Sequence, residues 1–250
     1  MQILLVSDLH YTLKQLDWVT SVAGEYDLVV VAGDHLDIAS SVPLDAQTVV
    51  ATRFMAELAR STIVVCCSGN HDLTGRDGNG ERSALWMADV AAAGVHHDGD
   101  SVLIDGTLIT VCAWWDGPIG REKVAAQLAA DAARAADRWV WVYHWPPAGS
   151  RTTWTGHKHY GDADLLAWIE QHQPDVVLAG HVHESPFKPD GSWADRIGRT
   201  WVFNAGRQIG PEPTSVLIDL AAGTATWRSM LGVEEVRLDA DPPRERPALA

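Results

Sequence analysis

Gly69-Asn70-His71-Asp72 follows the apolar run Ile63-Val64-Val65-Cys66-Cys67, so a buried strand delivers three polar side chains to its carboxyl end. Glycine permits a sharp turn there. The asparagine offers an amide oxygen to a metal, the histidine can move a proton near neutral pH, and the aspartate can brace either one. Read alone, the tetrapeptide fits a polar turn with N-cap residues equally well. Four further strand ends carry matching chemistry: Asp8 with His10, Asp34 with Asp37, His144, and His181 with His183. In extended backbone, residues i and i+2 project to one side, so Asp8 and His10 can share a site, as can His181 and His183. Imidazole, carboxylate and amide oxygen together suit a first-row transition metal. No cysteine belongs to the set, which excludes a thiolate zinc site. A lone Asp-X-His or His-X-His is more often a capped turn than a ligand pair. The whole series, each member directly after an apolar strand, points to metal chemistry.

The elements that must position these residues read as β and α in alternation. Ile3 to Val6 is a strand, residues 13–23 a helix, Asp27 to Val31 a strand, 44–60 a helix and 62–67 a strand. A glycine-rich loop then leads to a predicted helix at about 81–93. Open α/β sheets place their sites at such carboxyl ends. The order changes at Val102 to Ile109, which reads as a hairpin turning on Asp105-Gly106. A helix at 121–137, a strand at 139–143, a helix at 162–172 and a strand at 175–178 follow. Strands near 200–203, 214–219 and 224–229 complete a domain of residues 1–238, and the proline- and charge-rich tail 239–250 is expected to be disordered.

The chain has 250 residues, enough for one large α/β domain, and its 46 % hydrophobic content excludes disorder for the body of the chain. A net charge of −14 opposes general nucleic-acid binding. It does not oppose a small phosphorylated substrate, because bound metal reverses the sign locally. Three cysteines in apolar stretches do not form a disulfide framework. The N-terminus opens directly on a strand with no signal-peptide pattern, and no apolar run approaches membrane-spanning length. The expected setting is cytoplasmic, without a membrane partner. The oligomeric state is not written in the pattern.

The motifs resemble those of the calcineurin-like metallophosphoesterase superfamily, in particular its bacterial phosphohydrolases. D-x-H stands as Asp8-Leu9-His10, G-D-x-x-D as Gly33-Asp34-His35-Leu36-Asp37 and G-N-H-D/E as Gly69-Asn70-His71-Asp72. A solitary histidine stands at His144, and G-H-x-H as Gly180-His181-Val182-His183. The resemblance implies an α/β fold, a four-layer αββα sandwich of two mixed β-sheets flanked by helices. It implies two divalent transition-metal ions (Mn, Fe, Zn, Co or Ni), the first held by Asp8, His10, Asp34 and His183. Asp34 would bridge to the second, completed by Asn70, His144 and His181. The implied activity is hydrolysis of a small phosphomonoester or phosphodiester, a nucleotide among the candidates, by a metal-bridging hydroxide. His71, next to a ligand but not itself one, is the implied general acid, oriented by Asp37. A nuclease of the same superfamily and a non-catalytic metal-binding scaffold are the alternatives. Charge opposes the first and the complete motif set opposes the second.

Departures from the pattern carry information. Ile38-Ala39 replaces the Arg-Gly of the protein serine/threonine phosphatases, which disfavours a phosphoprotein substrate. Tyr143-His144-Trp145 stands where relatives often show His-His-Pro. His35, beside Asp34, is expected to face solvent. Of twelve tryptophans, Trp18, Trp86, Trp139, Trp141 and Trp168 fall at packing positions. Trp114, Trp115, Trp145 and Trp154 fall in loops after site-facing strands, where they either stack on a flat substrate group or pack. Trp115, His157 in the loop 155–160, and Arg207 after an apolar strand are the candidate substrate contacts. Arg207 suits phosphate because a guanidinium fork binds it through two hydrogen bonds.

Overall fold

Strands β1 (Gln2–Val6) and β2 (Leu28–Ala32) are apolar at almost every position, and both faces of each find a partner. In the computed structural model, which describes residues 1–243, Ile3, Leu5, Leu28 and Val30 face a second sheet, while Leu4, Val6, Val29 and Val31 face helices. That period-two division of one buried strand between two cores is what a four-layer sandwich requires.

In chain order, α1 (Leu13–Val22) follows β1, α2 (Leu44–Leu58) follows β2, and β3 (Ile63–Cys67) follows α2. The expected helix at 81–93 is mostly a different structure. A two-stranded ribbon of β4 (Gly75–Arg76) and β5 (Arg82–Ser83) precedes a short α3 (Met87–Ala91). The reason lies in Glu81, whose carboxylate accepts the N–H groups of Ile119 and Gly120 at 2.8 and 2.7 Å and caps the next long helix instead of starting its own. The hairpin β6 (Ser101–Ile104) and β7 (Thr107–Val111) turns on Asp105-Gly106, as the sequence predicts. Helix α4 runs Pro118–Asp131, starting at a proline whose missing N–H costs nothing in the first turn. Then come β8 (Arg138–Val142), α5 (Ala163–His172), β9 (Val176–Ala179), β10 (Ala194–Ile197), β11 (Thr200–Asn204), β12 (Ser215–Asp219), β13 (Thr224–Ser229) and β14 (Gly232–Arg237).

The first sheet has the order β14-β13-β12-β1-β2-β3 and the second β10-β11-β9-β8-β7-β6. In the first, β1, β2 and β3 are parallel and β12, β13 and β14 are added antiparallel on one side; in the second, β7, β8, β9 and β11 are parallel and antiparallel β6 and β10 close both edges. Both sheets are therefore mixed. Their inner faces share one core, α1, α2 and α3 cover the first, and α4 with α5 cover the second. Truncating an inner residue such as Leu178 to alanine would cost roughly 2–5 kcal/mol. Strands β10 and β14 escape the sequence pattern because they are polar edge strands, β14 burying Val236 alone. Arg196 and Arg151 reach Asp241 and the Pro243 carbonyl in the part of the expected tail that is described. Residues 244–250 lie outside the described residues.

Candidate metal centre

Parallel pairing sets the ends of β1, β2 and β3 side by side, and the backbone carries the register past them. Asp8 donates its N–H to Gly33 O, and His10 to Asp34 O. From the second sheet, Tyr143 bonds Leu178 and Gly180 bonds His144, so the loops after β8 and β9 advance together. The two sheets meet where His181 donates its N–H to both carboxylate oxygens of Asp8, at 3.1 and 3.0 Å. Asp8, His10, Asp34 and His181 all have positive φ (54°, 43°, 53° and 67°). Left-handed backbone at non-glycine residues costs on the order of 1–3 kcal/mol each and gathers where function requires it. Gly33 and Gly69 answer a second constraint. A Cβ on either would run into the His144 ring, and on Gly69 also into the Asp34 carboxylate.

Six motif side chains converge here. Asp8, His10, Asp34 and His183 each offer a donor atom within 4.8 Å of the others, and so do Asp34, His144 and His181. Asp34 belongs to both sets. His183 Nε2 lies 3.1 Å from Asp8 Oδ1 and 3.1 Å from His10 Nε2, and His144 Nε2 lies 3.3 Å from Asp34 Oδ2 and 3.3 Å from His181 Nδ1. Two ring nitrogens this close need a proton or a cation between their lone pairs. His144 donates Nδ1–H to the Ala32 carbonyl at 2.7 Å, which turns its Nε2 toward the cluster. Buried Asn70 Oδ1 has no hydrogen-bond partner among the described residues, nor has His181 Nε2. A buried amide oxygen left without a donor is costly, and a cation would satisfy it. The donor set and the orphaned atoms fit divalent metal.

Electrostatics agree. Burial would raise the Asp8 and Asp34 carboxyls, but the surrounding histidines, His144 first, hold both below their ordinary range. Burial pulls His10 down to about 4 and His181 to about 3, which keeps these imidazoles neutral. For His144 burial acts downward too, yet Asp34 and Asp8 outweigh it and raise the group to about 9. Two buried carboxylates thus demand positive charge at this point.

Residues 1–185 match the family model for calcineurin-like phosphoesterases, a stretch that contains all six converging side chains and Asn70. The chain belongs to the calcineurin-like phosphoesterase family. Solved structures similar to this phosphoesterase include a dimetal phosphatase from Danio rerio, with TM-score 0.61 and 13 % identity over 95 % of this chain and 99 % of that one. A protein of Thermus thermophilus aligns with TM-score 0.60 and 14 % identity over 95 % and 98 % of the two chains. A purple acid phosphatase from yellow lupin seeds aligns with TM-score 0.54 and 12 % identity, over 98 % of this chain and 52 % of that one. At these identities the likeness shows the fold, two large mixed sheets with flanking helices. No curated protein matches the sequence.

Around this candidate metal centre of the phosphoesterase, other expectations meet their outcomes. Asp72 is buried and accepts the N–H groups of Gly69, His35 and Leu36, so it braces the loop. His35 faces neither site nor solvent: it is 1 % exposed, Nε2 meets the Cys67 carbonyl at 3.0 Å, and the ring packs edge-on against Trp86. His71 Nε2 lies 4.0 Å from Asp34 Oδ2, beside the cluster. Asp37 Oδ1 stays 4.0 Å from His71 Nδ1 because it is engaged with the Ala39 N–H in a turn of its own. Arg207 arrives at the rim. Its Nε donates to the Asp8 carbonyl at 3.1 Å, and its backbone N–H to His183 O. Asn204 holds that loop in place through Thr152 O, Val182 O and the Gly206 N–H.

Trp115 and His157 are placed elsewhere. Trp115 stacks on Tyr143 at 4.4 Å, meets Trp168 edge-on, and with Trp114, Glu81, Asp98 and Lys123 lines a cavity of about 370 Å³ that none of the six cluster residues lines. His157 is exposed at the tip of its loop, with no contact to the cluster among the described residues. In their stead Trp114, Trp145 and Tyr160 each bring a ring to within 5.4 Å of the His181 ring. Tyr160 lies in a segment whose sequence stands out for its cations, and no spacing rule ties it to His181. Among the described residues no helix is long and apolar enough to cross a membrane.

Proposed function

We propose that this phosphoesterase hydrolyses a small phosphomonoester or phosphodiester with two divalent transition-metal ions. Asp8, His10, Asp34 and His183 would hold the first, and Asp34, Asn70, His144 and His181 the second. The observation that carries the reading is the pair of overlapping donor sets with Asp34 common to both. Cations so held would lower the pKa of water and offset the charge of the phosphoryl oxygens. The chain's own residues do the rest. His71 presents Nε2 beside the cluster and supplies the proton that the departing alkoxide needs. Arg207, fixed through Nε to Asp8 O, has terminal nitrogens with no hydrogen bond among the described residues and turns them to a phosphoryl oxygen. Asp37 places its carboxylate 4.0 Å behind His71 Nδ1 and would help to orient the ring.

The net charge of −14 weighs against a nuclease, and the intact donor sets weigh against a scaffold. Elemental analysis of purified protein, with chelation, reloading, and hydrolysis of p-nitrophenyl phosphate beside its bis-ester, tests the reading. Bound transition metal and activity lost and regained with it are the expected result. Hydrolysis indifferent to exhaustive chelation would overturn it.

A further inference from the structure

Trp141, Trp193 and Trp227 are closed into the core at 0–1 % exposure. The three rings around His181 are different. Trp114 and Trp145 are half-buried and Tyr160 is 44 % exposed. They come from three segments, the loop after β7, the loop after β8 and the end of the loop 148–160, and they contact one another as well as the histidine. Trp114 stacks on Trp145 at 5.5 Å and 18°, Trp145 meets Tyr160 at 5.0 Å, and Trp145 Nε1 donates to the Tyr160 carbonyl. The Tyr160 ring lies at 30° to His181, 5.3 Å away, with the exposed Lys158 placing Nζ 5.5 Å from its centroid.

A continuous, partly wet aromatic surface therefore begins at a metal-site histidine and runs outward to solvent, in a protein whose net charge is strongly negative. Seating one imidazole does not require three large rings left partly exposed, and hydrated aromatic area at a site mouth is what a flat ligand group would cover. We propose that Trp114, Trp145 and Tyr160 form a subsite for a planar aromatic group esterified to the phosphate, with Lys158 as a movable cation at its lip. The proposal rests on the phosphoesterase reading above and names its substrate class: aryl or heteroaryl esters rather than alkyl or sugar esters.

Phenylphosphonate and methylphosphonate carry the same phosphoryl head, are not hydrolysed, and differ only in the organic group. Calorimetric titration of each into metal-loaded protein should give about 10-fold tighter binding of the phenyl compound. Tyr160→Ala should reduce that ratio to about 3 or less, and Tyr160→Phe, which keeps the ring, should restore it, with metal content measured for each variant because Tyr160 packs on His181. A ring that merely seats His181 would change both affinities together and leave the ratio alone. Equal affinity for the two phosphonates in the wild type, or a ratio untouched by both Tyr160→Ala and Trp145→Ala, overturns the subsite and leaves the hydrolase reading standing. Failure to bind either phosphonate, with no hydrolysis of any ester, overturns both.

Discussion

Ile38 donates its backbone N–H to Nδ1 of His71 at 3.3 Å. An imidazole that accepts at Nδ1 keeps its proton, when neutral, on Nε2, and that nitrogen is the one beside Asp34 Oδ2. A main-chain group thus aims the proposed proton donor, with the Asp37 carboxylate at 4.0 Å beside it. His71→Ala should lower kcat by about 10²-fold or more while metal content stays intact. Asp37→Asn should cost less, about 10-fold or under, because the backbone contact survives it. Steady-state kinetics beside elemental analysis checks both. An unchanged kcat in His71→Ala would remove the histidine from the proton transfer.

Gly33 is held at φ 82°, and the space its missing side chain would fill belongs to His144. Gly33→Ala imposes left-handed backbone on a residue with a Cβ, at roughly 1–2 kcal/mol, and pushes the imidazole off its bond to Ala32. A thermal melt should show destabilisation of about 2–4 kcal/mol. Elemental analysis should show the metal held through His144 diminished. A variant that melts like the wild type with full metal content would contradict the crowding.

Much of this is legible in the sequence because parallel strands make it so. Once β1, β2, β3, β8 and β9 are read as apolar runs, their carboxyl-end residues must lie near one another, and Asp8, Asp34, Asn70, His144 and His181 follow. Boundaries shift where a side chain acts at a distance, as when Glu81 caps α4 rather than beginning a helix. His35 departs from the expected solvent-facing position because alternation after β2 is broken by the positive φ of Gly33 and Asp34, which turns its ring inward. The aromatic surface on His181 is illegible in its membership. Trp114 and Trp115 are neighbours in sequence, and only the fold decides that the first reaches the His181 ring while the second turns to Trp168.

Asp98 accepts the Ser68 N–H at 2.7 Å beneath the loop that carries Asn70, and burial raises its carboxyl from 3.8 to about 6 despite the hydrogen bonds from Ser68. The folded chain therefore holds this proton more tightly than the unfolded chain. The stability it contributes is full below about pH 4, falls as pH rises toward 6, and is absent at neutral pH. Asp98→Asn keeps an acceptor for Ser68 and removes the partly buried anion. At pH 7.5 it should gain roughly 1–2 kcal/mol, which for a chain of this size is a rise of roughly 2–8 °C in Tm. Near pH 3.5 the two proteins should melt together. A gain of equal size at both pH values would exclude the buried charge as its source.

Arg207 combines two roles that a lysine cannot. Its Nε holds the Asp8 carbonyl at 3.1 Å while the planar fork beyond remains directed at the rim. An ammonium has one nitrogen for both and no fork. If the fork meets a phosphoryl oxygen, Arg207→Ala should lower kcat/KM by about 10- to 100-fold. Arg207→Lys should recover part of that, chiefly in KM, since a point charge still attracts the dianion. A monoester should suffer more than its bis-ester, because the monoester brings an additional negative charge to the guanidinium. Parallel kinetics on p-nitrophenyl phosphate and bis-p-nitrophenyl phosphate, with metal content fixed, separate the cases. Identical losses for both esters would make Arg207 a support for Asp8 and the β1 loop, and an unchanged kcat/KM would remove it from the site.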